Sequence, residues 1–169
     1  MIPPRLETER LILRPFQGSD YGPYLAAHQR ADVVRHVTAD GKPLTDALAW
    51  RSLAMFAGHW TLRGFGSWSV EEKASGAWVG RVGLHMPEPW PELELGYLID
   101  APFWRRGYAV EAGRAAQAWG KDVLELTRLV SYISPENAAS IATAKKLGGV
   151  WERRIQLMGL ETEVFAYRL

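Results

Sequence analysis

"PFWRRGYAVEAGRAA", residues 102–116, changes character halfway. An aromatic pair runs into two arginines and a glycine. After Gly107, small residues recur at helical spacing: Ala109, Ala112 and Ala116, followed by Trp119 and Val123. Steps of three and four mark one helical face, and alanine there allows close packing on a sheet. A helix start offers unpaired N–H donors and partial positive charge. Glycine lets a bulky anion approach the backbone. Arg105 and Arg106 add charge-assisted donors suited to phosphate. The stretch reads as a pyrophosphate cradle, against a plain surface turn with two solvated arginines. It is neither a G-x-G-x-x-G dinucleotide site nor a G-K-[ST] P-loop.

The flanks supply the rest of the fold. Upstream, "LELGYLI" (93–99) reads as a strand, with Glu94, Gly96 and Leu98 on one face and Leu95, Tyr97 and Ile99 on the other. Downstream, "TRLVSYI" (127–133) is a β-rich run. "NAASIATAKKLGG" (137–149) is a helix capped by Asn137 or Ser134, with Lys145 and Lys146 in its last turn and glycine after it. Ser140 follows Asn137 by three residues, on the same helical face. Further out lie a strand at 10–16, a helix at 19–29 opened by Ser19 and Asp20, and a helix at 44–63. Thr45 or Asp46 caps the latter, and Leu48, Leu53, Phe56 and Trp60 share its face. Residues 66–73 and 77–86 form a hairpin, "PEPWPE" (87–92) a proline-held loop, and 150–156 and 163–169 the last strands. The order β, α, α, β, β, β, α, β, α, β, β is an α/β chain with a mixed sheet and helices on both faces.

Composition narrows the function. The 169 residues suit one domain spanning 1–169. Twenty basic and 19 acidic residues give a net charge of +1, against a dedicated nucleic-acid binder. No cysteine is present, so there is no disulfide or cysteine nucleophile, which fits a reducing cytoplasm. No stretch approaches the roughly 20 apolar residues of a membrane span, and the first residues hold no signal-peptide run. His28, His36, His59 and His85 are scattered without metal-ligand spacing, so no metal is expected.

"LETERLILRPF" (6–16), "LGYLIDAPFWRRGYAVEA" (95–112) and "NAASIATAKKLGG", in this order, resemble the GNAT superfamily of N-acetyltransferases, and within it the RimJ/RimL type. The resemblance implies a mostly antiparallel sheet of about seven strands, splayed between the fourth (93–99) and fifth (127–133). It implies acetyl-CoA as co-substrate, its pantetheine arm in that wedge. Leu98 and Ile99 would meet the acetyl end through the backbone. Arg105, Arg106, Gly107, Tyr108, Ala109 and Val110 would hold the pyrophosphate. Asn137 and Ser140 would face the arm or the thiol, and Lys146 would reach a phosphate. Trp104 and Arg105 depart from the common forms of the motif. Ala144 stands where many members carry a tyrosine acid, which leaves Ser140 as the candidate acid.

An amine that attacks a thioester must lose a proton. Glu94, a carboxylate on an apolar strand, is the candidate base, with Glu92 as fallback. A strand N–H near Leu98 would stabilise the oxyanion. Trp90 is a candidate wall of the acceptor site. Glu111 reads as an ion-pair partner of Arg114, and Arg153 and Arg154 point to opposite strand faces. The expected acceptor is a protein N-terminus or a small-molecule amine. A homodimer is the assembly common among such enzymes. The competing expectation is a non-catalytic acyl-CoA sensor, because Ala144 removes one common catalytic group.

Overall fold

The computed structural model describes residues 3–169. Two short elements escaped the sequence pattern: strand β1 (Leu6–Glu7) and helix α2 (Ala31–Val34). Neither is long enough to show a period. The other elements lie where expected. They are β2 (Leu11–Arg14), α1 (Tyr21–His28), α3 (Asp46–Arg63), β3 (Ser67–Glu72), β4 (Trp78–His85), β5 (Glu94–Ile99), α4 (Tyr108–Leu124), β6 (Arg128–Ile133), α5 (Ala138–Lys146), β7 (Val150–Leu157) and β8 (Leu160–Arg168).

The helix expected from residue 19 begins as a 3-10 turn, Gly18–Asp20. Asp20 does not cap α1 with its side chain. It accepts from Arg14 at 2.8 and 2.9 Å and from the Gln17 N–H at 2.9 Å. Thr45 does cap α3, accepting from the Leu48 N–H at 3.3 Å.

Eight strands form one sheet in the order β1-β2-β3-β4-β5-β6-β8-β7. All neighbours are antiparallel except β5 and β6. That parallel pair is joined through α4, the crossover a parallel connection needs. It meets at a single register position, Glu94↔Val130. Beyond it the two strands part, so the splay falls between 94–99 and 128–133.

The sheet's two faces carry different clusters. Leu84, Leu95, Val82, Trp68 and Leu129 pack with Tyr108, Ala112, Ala116 and Trp119 of α4. Leu98 and Trp78 pack with Tyr24, Ala27, Ala49, Leu53 and Phe56 of α1 and α3. Trp60, at the end of α3, joins Trp68 and Trp119 edge to face at 4.8 and 5.3 Å. A Cβ on Gly66 would lie 2.6 Å from its indole, so only glycine fits there.

The helical faces differ from expectation in detail. Val123 is 57% exposed, and Gly113 and Gly120 are buried on α4 instead. Leu48 is exposed, and Ala49 takes its place on α3. One more irregularity matters for the site. β3 and β4 slip register between Val70 and Glu71, so that Val79 is an extra residue. Gly80 there has φ +155°, and a Cβ would sit 2.1 Å from the Leu98 carbonyl oxygen.

Candidate active site

The gap between β5 and β6 is the centre of the site, because backbone groups on a splayed edge lack their usual partners. Observed bonds show which residues face it. The Leu93 carbonyl accepts from the Val130 N–H at 3.1 Å. The Leu95 carbonyl accepts from Ser131 Oγ at 2.7 Å. The Asp100 N–H instead donates to Val79 on β4 at 2.9 Å. Backbone direction alternates along a strand, so the N–H groups of Tyr97 and Ile99 face the gap. That of Leu98 faces β4, which shifts the expected oxyanion donor from Leu98 to its neighbours. The Ile99 carbonyl accepts from the Trp104 indole at 2.6 Å.

On the α4 side of the sheet lies the stretch expected to cradle phosphates. Gly107, with φ +81°, is the N-cap of α4, and Arg105 has φ +61°. Two left-handed residues around one helix start turn successive N–H groups inward, the geometry of an anion nest. Arg105 is exposed and pairs with no carboxylate among the described residues. Arg106 is not free, for it pairs with Glu72 at 3.3 Å. The Tyr108 hydroxyl donates to the same Glu72 at 2.5 Å, so only its backbone points at the cradle. A cavity of about 600 Å³ opens beside it. Gly107, Val110 and Lys146 line it, joined by Thr8, Arg10, Arg114 and Ala115. Ala109, half-buried on the first turn of α4, lies beside the cradle, not among these lining residues.

Arg10 was not foreseen, because it stands about a hundred residues away in the chain. Glu111 receives it, accepting from Arg10 Nε at 2.7 Å and from Thr8 Oγ1 at 2.6 Å. The expected partner Arg114 is left exposed. Asn137 caps α5, its Oδ1 accepting from the Ser140 N–H at 3.1 Å. Ser140 Oγ donates to the Tyr97 hydroxyl at 3.1 Å, and Tyr97 donates to the Ser140 carbonyl at 3.0 Å. Tyr97 is a second residue that the sequence reading passed over. Its strand position was visible, but its pairing with Ser140 depends on how α5 docks. Burial pushes its pKa up to about 12.

Glu94 lies on the opposite face, among aromatic rings. It accepts from the Trp90 indole at 2.7 Å. Trp90 in turn stands edge-on to His85 and Tyr132, at 5.8 and 6.4 Å. Burial raises the Glu94 pKa to about 7, against the lowering effect of Trp90 and Arg81. Glu92 behaves in the opposite way. It is half-buried, and Arg128 and Arg153 hold it at 2.8 and 2.5 Å. Those arginines keep its pKa low, so it is a poor base. Arg154 pairs with Glu161 and Glu163 instead, on the other face of β7.

His85 is buried and stays neutral, its pKa lowered to about 3 chiefly by burial. His59 donates through Nδ1 to the Phe65 carbonyl and accepts at Nε2 from the Met86 N–H. No cluster of metal-binding side chains exists among the described residues. Nor is any described helix long and apolar enough to cross a membrane.

The open β5 edge, the helix start at Gly107 and the cavity, lined by Arg10, Arg114 and Lys146 with Glu9 and Glu111, leave room for a long ligand with anionic groups at one end, as the expected acetyl-CoA would be. Known proteins are similar to this chain. A family model described as an acetyltransferase (GNAT) domain matches residues 10–150. A crystal structure of an acetyltransferase from Agrobacterium tumefaciens is 30% identical, with a TM-score of 0.89, covering 100% of this chain and 96% of that one. The uncharacterized N-acetyltransferase YoaA of Bacillus subtilis is 27% identical over 86% of this chain and 82% of its own. The uncharacterized protein YkkB of the same organism is 32% identical over 95 residues. That match spans only about half of either protein, 55% of each.

Proposed function

We propose, for a chain that belongs to the GNAT acetyltransferase family and is an acetyl-CoA-dependent enzyme, that the acceptor is a primary amine and that transfer is direct. Family membership sets aside the sensor alternative. The finer RimJ/RimL assignment rests on the motifs at 6–16, 95–112 and 137–149. One observation carries the acceptor reading. Glu94 and the anion cradle lie on opposite sides of the sheet, and the gap between β5 and β6 opens to both.

Acetyl-CoA supplies the activated acyl group. The nest at Gly107, with Arg105, Ala109, Val110 and Lys146 nearby, holds its phosphates from the α4 side. The amine comes from the α3 side, past Trp90. Glu94 takes its proton as nitrogen bonds to the carbonyl carbon, and the carbon–sulfur bond then breaks. The N–H groups of Tyr97 and Ile99 are placed to receive the oxyanion. Tyr97 and Ser140 stand on the thiol side, where a hydroxyl can return a proton to sulfur. With its pKa near 7, Glu94 is matched to this task at neutral pH. Thiol release from acetyl-CoA, assayed with a panel of amines, tests the proposal. Stoichiometric N-acetyl product is expected. Thiol release that is unchanged by every amine would contradict it.

A further inference from the structure

Polar atoms buried without partners are rare and call for explanation. Six such side-chain atoms occur among the described residues: Ser67 Oγ, Ser69 Oγ, Trp78 Nε1, Arg81 Nε, His85 Nδ1 and Tyr132 Oη. Strand register puts all six on one face of the sheet, the face covered by α1 and α3. Ser67 pairs with Gly83, which pairs with Gly96; Ser69 pairs with Arg81, which pairs with Leu98; and His85 pairs with Glu94, which pairs with Val130, two residues before Tyr132. The opposite face, under α4, has none. The bulge at Val79 is what brings Trp78 and Arg81, three residues apart, onto the same side.

Arg81 is the anomaly within this set. Four arginines are half-buried: Arg14, Arg81, Arg128 and Arg153. Arg14, Arg128 and Arg153 each hold carboxylates at 2.8 Å or less. Arg81 forms no ion pair among the described residues, although a guanidinium is always charged and a buried charge is costly without a partner. Its guanidinium lies over the Phe56 ring at 3.9 Å, which offsets only part of that cost. The Tyr24 hydroxyl beside it is bonded to Ser52 at 2.7 Å. Glu94 is within electrostatic reach but makes no ion pair with it. The two stand four residues apart along neighbouring strands, roughly 13 Å between backbones.

We infer that the acceptor is a free amino acid or a close analogue, its carboxylate held by Arg81 and its amine presented to Glu94. This inference rests on the amine-acceptor reading above and narrows it. A carboxylate bound here would give Arg81 the anionic partner that no described residue supplies, where Tyr24 offers only a neutral hydroxyl. The aromatic wall of Phe56 and Trp90, with neutral His85, suits the carbon skeleton. Polyamines would bring a second cation against the guanidinium, and a simple amino sugar only neutral hydroxyls. A peptide N-terminus would bring a neutral amide where the site offers a charge.

The test compares each proteinogenic amino acid with its carboxamide, and adds putrescine and a neutral tripeptide, using the intact enzyme and acetyl-CoA. The best acceptor should be a free amino acid, with kcat/KM about 30-fold above its amide, the range of one charge-assisted bond. This preference would run against chemistry, because the amide's amine is less basic and more often unprotonated. Arg81→Gln should abolish the preference by raising KM for the acid far more than for the amide. Arg81→Lys should retain part of it. Equal use of acid and amide, or a preference for putrescine or the tripeptide, overturns the inference and leaves the amine reading intact. Turnover of no amine at all overturns both. The comparison on the parent enzyme stands even if a variant fails to fold.

Discussion

With a pKa of about 7, Glu94 is half ionised at neutrality, and its activity should follow that ionisation. The parent's kcat/KM should rise as pH passes through about 7. Glu94→Gln keeps the volume and can still accept from Trp90, yet cannot take a proton. Turnover at pH 7 should fall about a hundredfold or more, with KM for acetyl-CoA little changed. The deficit should shrink at high pH, where the amine is already free, and a deficit constant to high pH would make Glu94 a positioning residue. Stability should move the other way. A carboxyl whose pKa is higher in the folded state favours folding below its unfolded value of 4.5, and that advantage is lost as pH rises through 7. Glu94→Gln should therefore melt higher than the parent at pH 8, by on the order of 1–2 kcal/mol allowing for partial exposure, and equally at pH 4. Ser140→Ala should lower turnover only about tenfold, because Tyr97 remains on the thiol side. A larger rise in KM for acetyl-CoA than fall in kcat would assign Ser140 to binding. The place of Glu94 on an apolar strand was legible in the sequence from alternation alone. Arg81 and Tyr97 were not. Arg81 owes its orientation to a bulge no pattern announces, and Tyr97 owes its partner to the docking of α5.

The start of α4 shows how an element turns sequence into a site. Gly107 takes φ +81°, a conformation side chains rarely adopt, and a Cβ there would meet only Arg10 Nη2, at an ordinary 3.5 Å. Gly107→Val is thus strained by its backbone rather than by crowding, and should cost about 1–2 kcal/mol of stability without loss of the fold. Its side chain would stand where phosphates approach. KM for acetyl-CoA should rise at least about tenfold, as read by steady-state kinetics or calorimetric binding, and parent-like binding would mean that the cradle lies elsewhere. The α4 period was read correctly, but its face was not. Hydrophobicity favoured Val123, whereas close approach to the sheet and α5 selected Gly113 and Gly120. A Cβ on Gly113 would lie 2.9 Å from Leu147. Close packing favours the smallest residue, which hydrophobic patterning scores as empty. The pairing of Glu111 with Arg10 rather than Arg114 has a similar origin, since strand β2 enters beside the helix from far along the chain.

Across the whole molecule, one sheet separates two kinds of interior. Among the described residues the α4 face leaves no buried polar side chain without a partner, and the α1–α3 face carries the unpartnered polar atoms together with His28 and His85. Both histidines are buried neutral, with pKa values lowered from 6.5 to about 4 and about 3, chiefly by burial. A histidine depressed in this way favours folding above 6.5, and that contribution is lost as pH falls toward the folded value. Between 4.5 and 6.5 Glu94 opposes them, but two sites outweigh one. Stability should therefore climb as pH rises from about 4 to 6.5, and urea melts across that range would check it. A flat profile would mean that the histidines are solvated. The topology was legible because strand and helix periods alternate plainly, and the splay followed from resemblance rather than from spacing. The separation of the two faces at the gap is the central claim, and a crystal structure with acetyl-CoA bound tests it most directly. The thioester should lie between β5 and β6, its phosphates on the N–H groups at the start of α4 and its carbonyl near the N–H of Tyr97 or Ile99, with Glu94 reaching it from the α3 side. Acetyl-CoA bound outside the gap, or a thioester screened from Glu94 by the sheet, would contradict the account.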